Sequence, residues 1–89
     1  MATHPTVTDY ILLKSAQRYL QRMQLDEQVR IVKALDALVT DSTKLDIKPL
    51  KGRLEFRLRV GKYRILFVED TDNQVYVVTQ IGSRGDVYK

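Results

Sequence analysis

Two hydrophobic periods divide this 89-residue chain, a helical one before Leu50 and an alternating one after it. Ahead of both, Thr6 to Leu13 (TVTDYILL) is rich in β-branched and aromatic residues and predicts a first strand. Lys14-Ser15 then offers a helix start, with Ser15 as the N-cap. Ala16 to Met23 continues as a short amphipathic helix with Ala16, Tyr19, Leu20 and Met23 on one stripe. Leu25 to Val39 predicts the clearest helix. Val29, Val32, Leu35 and Val39 recur at helical spacing, Ile31 and Leu38 flank them, and Asp26 stands where an N-cap would. The polar stretch Thr40 to Thr43 breaks it.

From Leu50 the period changes to two. Leu54, Phe56, Leu58 and Val60 alternate with Glu55, Arg57 and Arg59, as a half-buried strand requires. Tyr63 to Glu69 and Gln74 to Ile81 predict two more strands, with Asp70-Thr71-Asp72-Asn73 as the turn between them. The order β-α-α-β-β-β places two helices against a small antiparallel sheet, an α+β sandwich of two layers. A chain of this length holds one core, and it shows no repeat, low-complexity tract or Pro/Gly-rich linker. A single domain over residues 1–89 is expected.

Gly61-Lys62 fits a two-residue hairpin loop with glycine first, where φ must be positive. Val60 then faces Tyr63, Arg59 pairs with Arg64, Leu58 with Ile65, Arg57 with Leu66 and Phe56 with Phe67. Paired residues share a face, so the apolar set makes the core face while Arg57, Arg59 and Arg64 gather on the other. Like charges directly opposite one another destabilise a hairpin, a penalty that an anionic ligand relieves. The guanidinium fork suits phosphate. Arginines are also common on solvated strand faces, where their stems cover apolar neighbours, so the hairpin alone leaves both readings open. For the third strand, a three-residue loop turns Val75, Val77 and Ile81 to the core and sets Arg84 on the arginine side.

Charge sharpens the picture. The net charge is only +4, yet the stretch from Lys48 to Arg64 carries seven basic residues (Lys48, Lys51, Arg53, Arg57, Arg59, Lys62, Arg64) against one acid, Glu55. This local basicity on a near-neutral body points to a polyanionic partner. The hydrophobic fraction of 44% fits a folded domain. The absence of cysteine excludes disulfides and thiolate metal sites, and it fits a reducing cytoplasm. His4 is the only histidine, so no histidine-based triad or ligand set is available, and no cofactor or metal is expected. No apolar run is long enough to span a bilayer, and the N-terminus lacks the pattern of a signal peptide.

The run LKGRLEFRLRVGKYRILF, followed by VYVVTQIGSRGDVYK, resembles the RelE/ParE superfamily of bacterial and archaeal toxins. Members share Leu-Lys-Gly, then Arg-x-Arg-x-Gly-x-Tyr-Arg, then Ile-Gly-x-Arg-x-x-Val-Tyr. The C-terminal half carries the resemblance strongly, and Leu-Lys-Ser-Ala ahead of a helix pair matches the family layout more loosely. The resemblance implies the RelE-like microbial RNase fold and the toxin of a type II toxin–antitoxin pair. In the RelE branch such a toxin is a metal-independent endoribonuclease that cleaves mRNA in the ribosomal A site. Its implied partners are a cognate antitoxin, in a hetero-oligomer, and the ribosome with its mRNA.

Carried over by position, Arg64 matches the arginine of the Tyr-Arg motif, Arg84 that of Gly-x-Arg, and Tyr88 the C-terminal tyrosine. The resemblance thus implies Arg64, Arg84 and Tyr88 as catalytic, and Lys51, Arg57, Arg59 and Lys62 as RNA-binding. Many members have histidine where Ser83 stands, which removes the most conventional acid or base. With the sequence ending at Lys89, no C-terminal helix is expected over Tyr88. Two other readings remain: a ParE-like gyrase poison without nuclease activity, and a non-catalytic RNA-binding module.

Overall fold

The structure is a computed structural model that describes residue 7 and residues 9–83. Its elements run β1 (Asp9–Leu12), α1 (Lys14–Arg22), α2 (Leu25–Thr40), β2 (Asp46–Pro49), β3 (Phe56–Val60), β4 (Tyr63–Asp70) and β5 (Val75–Ser83). The five strands form one sheet in the order β1-β5-β4-β3-β2. β1 pairs with β5 in parallel, and every other pair is antiparallel. The α+β sandwich expected from the sequence is present, with one strand more. That strand, β2, reads Asp-Ile-Lys-Pro, too short and too polar to signal itself. It lies at the sheet edge, where a proline without an N–H is tolerated.

Both helix starts differ from the sequence reading. Leu13 occupies the N-cap of α1, and Ser15 lies inside the first turn. Gln24 caps α2, with Asp26 and Glu27 in its first turn, where carboxylates favour the positive end of the helix dipole. The α1 stripe holds: Ala16 is fully buried, and Tyr19, Leu20 and Met23 pack against the core. The α2 stripe is rotated. Ile31, Ala34, Leu35 and Leu38, at i, i+3, i+4 and i+7, enter the core, while Val29 and Val32 stay exposed. Two apolar stripes compete on this helix, and the one carrying Ile31 and Leu38 faces the sheet.

Leu58, Ile65, Phe67, Val78 and Ile81 complete the core from the sheet side. Phe67 stacks on Phe56 at 5.5 Å and meets Tyr76 edge-on at 5.0 Å. Leu54, expected to begin the core alternation of this strand, is instead 89% exposed, because pairing starts only at Phe56.

The β4–β5 turn also corrects the expected register. Asp70 pairs with Val75 across four loop residues, Thr71 to Gln74, and the Asp70 carboxylate accepts from the Asn73 backbone N–H (3.2 Å) and side-chain amide (2.9 Å). These bonds, the Asn73 side chain's foremost, hold the Asp70 carboxyl below its ordinary ionisation range. The extra loop residue turns Tyr76 and Val78 toward the helices and Val75 and Val77 away. Ile81 reaches the core because the register shifts between Leu66 and Phe67, whose partners are Gln80 and Val78 and leave Thr79 as the extra residue of a bulge.

Two tyrosines tie the first strand and the last to charged neighbours. Burial, then the Asp36 carboxylate 3.4 Å from its hydroxyl, raises the Tyr10 ionisation above its ordinary value. Burial, then the charge of Glu69, raises that of Tyr76. A raised folded-state value means the unfolded chain ionises first, so the stability these phenols contribute is complete below about pH 10 and is lost as pH rises through the folded values. Denaturant midpoints measured across this alkaline range should fall less steeply in the Tyr10→Phe, Tyr76→Phe double variant. An unchanged slope would show that the two phenols carry none of the linkage.

Candidate functional site

The hairpin forms in the expected register. Gly61 has φ +57° and is the one residue of the two-residue turn with positive φ, as a turn with glycine first requires. Val60 faces Tyr63, Arg59 faces Arg64, Leu58 faces Ile65, Arg57 faces Leu66 and Phe56 faces Phe67. Leu58, Ile65 and Phe67 are in the helix-facing core, so Arg57, Arg59 and Arg64 belong to the opposite face.

The three arginines do not share one environment. Arg57 is 7% exposed, beside the fully buried Leu66. Its Nη2 donates to Asp46 Oδ1 at 2.8 Å, while its Nε has no partner among the described residues. Asp46 comes from β2, where it pairs with Arg59, and its other carboxylate oxygen lies 3.9 Å from Arg59 Nε. One carboxylate thus serves two arginines. Glu55 plays a similar part lower on the strand, pairing with Arg53 and accepting from the hydroxyl of the bulged Thr79 at 2.6 Å. The basic stretch is therefore partly matched from within.

Three of the basic side chains come together at the hairpin tip. Arg59, Gly61, Lys62, Tyr63 and Arg64 line a cavity of about 190 Å³. Arg59 is half exposed and Arg64 half-buried. Directly across from Arg64 on β5 stands Gly82, so that position adds no side chain beside the guanidinium. On the helix side, the Arg30 guanidinium of α2 packs under the turn, where a Cβ on Gly61 would come 3.2 Å from Arg30 Nη2. Lys62 Nζ stands 5.5 Å from the centroid of the Tyr63 ring. Lys51 is exposed in the β2–β3 connection, next to Gly52 at φ +75°, and does not line this cavity. Arg84 and Tyr88 lie outside the described residues.

Sequence reasoning missed Asp46 and Arg30. Asp46 gave no signal because β2 gave none, and Arg30 looked like any charge on an exposed helix face. Among the described residues no group of three or more His, Cys, Asp or Glu could hold a metal ion. Nor is any helix there long and apolar enough to cross a membrane. The cavity can accept a phosphate through charge-assisted donors, but arginine supplies no base.

The pair of buried Arg57 with half-exposed Asp46 makes a stability prediction. Asp46→Ala leaves the Arg57 charge buried without its carboxylate and should destabilise by about 1–3 kcal/mol. Arg57→Met removes the buried charge while keeping the packing stem, and should change stability by no more than about 1 kcal/mol. Equal losses in chemical denaturation would show that Asp46 acts by something other than neutralising Arg57.

Residues 10–88 match the family model described as ParE toxin of the type II toxin–antitoxin system parDE. A toxin candidate, RelE1, of Methanocaldococcus jannaschii is 40% identical over 47 residues, which is 52% of each chain, so the match spans about half of that relative. The fold is similar to the archaeal RelE–RelB complex of Pyrococcus horikoshii OT3, with a TM-score of 0.74 and 22% identity over 92% of this chain and 99% of that one. The toxin–antitoxin complex RelBE2 of Mycobacterium tuberculosis gives the same TM-score of 0.74 and 22% identity over 89% and 99% of the two chains. The RelB–RelE complex of Methanococcus jannaschii gives 0.70 and 23% over 88% and 94%.

Proposed function

This chain belongs to the RelE/ParE superfamily of type II toxins, and on that premise we propose that it is a ribosome-dependent endoribonuclease that cleaves mRNA in the A site. The observation that carries the reading is the cationic cavity at the hairpin tip, which Arg59, Lys62 and Arg64 line together. Internal cleavage of RNA needs the ribose 2′-hydroxyl to lose a proton, the 5′-oxygen to gain one, and the phosphorane-like transition state to be stabilised. Arg64 and Arg84 stabilise that charge. Lys51, Arg59 and Lys62 bind flanking phosphates, and Arg57, held by Asp46, adds positive potential from beneath. Tyr88, by its place in the family motif, activates or orients the 2′-hydroxyl or stacks on a base. The products are a 2′,3′-cyclic phosphate and a 5′-hydroxyl end, and the reaction so drawn needs no metal.

A second reading has its own support: the matching family model is described by ParE, the branch that poisons gyrase through protein contact. Primer extension separates the two. Induction of the chain should produce discrete mRNA ends within coding regions, whereas a gyrase poison should leave mRNA intact and inhibit supercoiling.

The relatives crystallised with RelB support a cognate antitoxin as the partner here, in a toxin–antitoxin hetero-oligomer. Expression of the chain alone should arrest growth, and co-expression of the antitoxin should restore it. Normal growth with folded protein confirmed would argue against a toxin.

A further inference from the structure

The hairpin tip borders a second cavity on the side facing the helices. It holds about 450 Å³ between the end of α1, the α1–α2 connection and the turn, and it is lined by Tyr19, Arg22, Met23, Gln24, Glu27, Lys62 and Tyr63. That volume falls in the range of small-ligand sites. Two of its walls are aromatic, with Tyr19 meeting Tyr63 edge-on at a centroid separation of 6.5 Å. Lys62 and Tyr63 also line the cationic cavity, so the two hollows share a wall at the turn.

This shared wall sets the ligand. A strand whose phosphate sits on Arg59, Lys62 and Arg64 can turn its neighbouring nucleotide over the tip, and there it meets tyrosine rings and two further kinds of donor. From this arrangement we infer that the second cavity is a nucleobase subsite of the same RNA strand, resting on the nuclease reading above. The rings supply the stacking that single-stranded RNA offers on every base. Arg22 and Lys62 face the phosphate that leads into the hollow. Gln24 and Glu27 bring an amide and a carboxylate to the edge of a base, and a carboxylate accepts from an exocyclic amino group such as that of cytosine. A peptide side chain would use the aromatic walls as well, but it has no use for basic side chains lining both hollows.

The test is single-turnover cleavage on programmed ribosomes, with toxin concentration varied to separate half-saturation from plateau rate. Tyr19→Leu, which removes the ring but keeps apolar bulk, should raise the half-saturating concentration about tenfold with little change in plateau. Tyr19→Phe should restore most of that loss. Because Tyr19 also packs against the core, its variants are checked by thermal melting, and Arg22→Ala, at an exposed position, should raise half-saturation in the same direction. A single abasic nucleotide beside the cleaved phosphate should reproduce the Tyr19→Leu loss in the wild-type protein and add almost nothing in that variant. Fully multiplicative penalties at every abasic position would overturn the inference while leaving the nuclease reading in place. So would unchanged cleavage accompanied by weaker antitoxin binding, which would make the hollow a protein-docking site. Wild-type protein that leaves ribosome-bound mRNA uncut would overturn the nuclease reading itself, and the base subsite with it.

Discussion

Arg64→Ala should lower single-turnover cleavage of ribosome-bound mRNA by about a hundredfold to a thousandfold, the effect of removing one donor aimed at developing charge. Arg84→Ala, assigned by its place in the Gly-x-Arg motif, is expected to do the same. The expectation for Arg64 rests on its position. It lines the tip cavity, faces Gly82 across the sheet, and lies on the side of β4 away from the core. Half-buried as it is, its loss should lower stability by only about 1 kcal/mol, so a folded but inactive protein is the expected outcome. Arg59→Ala should behave differently. Its guanidinium is half exposed and already leans toward Asp46, so its loss should weaken binding while relieving the repulsion with Arg64 and sparing the plateau rate. Tyr88→Phe separates stacking from proton exchange, because phenylalanine retains only the first. Near-wild-type single-turnover rates in both Arg64→Ala and Arg84→Ala would end the nuclease assignment and favour the gyrase-directed reading.

The largest stability effect is expected from Ile65→Ala. Ile65 is fully buried at the centre of β4, paired with Leu58 on one side and Ile81 on the other. Removing its branched side chain leaves a void between sheet and helices that close packing cannot heal, at about 2–5 kcal/mol. For a domain of this size that is a fall in melting temperature of roughly 10–25 °C. Leu54→Ala, one strand away and 89% exposed, should change stability by only about 0.5 kcal/mol or less. The contrast reads the start of the β3 pairing directly. Comparable losses at the two positions would place Leu54 inside the core and contradict the register.

What local physics could decide was legible in the chain. Alternation from Phe56 and a glycine at the one turn position needing positive φ fix the Arg59–Arg64 pairing, since a two-residue loop permits one register only. The α1 stripe was legible for the same reason, because Ala16, Tyr19, Leu20 and Met23 leave a single apolar face. Where two local solutions were nearly equal, tertiary contacts chose. On α2 the stripe through Ile31 and Leu35 displaces the one through Val29 and Val32, since it presents more apolar surface to the sheet. On β5 a four-residue loop and the Thr79 bulge together set which valines face inward, and no periodicity encodes a bulge in advance. The site divides in the same way. That Arg57, Arg59 and Arg64 share a face is readable in the chain alone, because side-chain direction in a hairpin follows from register. Packing of distant elements buries Arg57 against Asp46 while Arg59, Lys62 and Arg64 line the tip cavity. That choice depends on an edge strand paired eleven residues upstream, and desolvation of a charge is a property of everything packed around it.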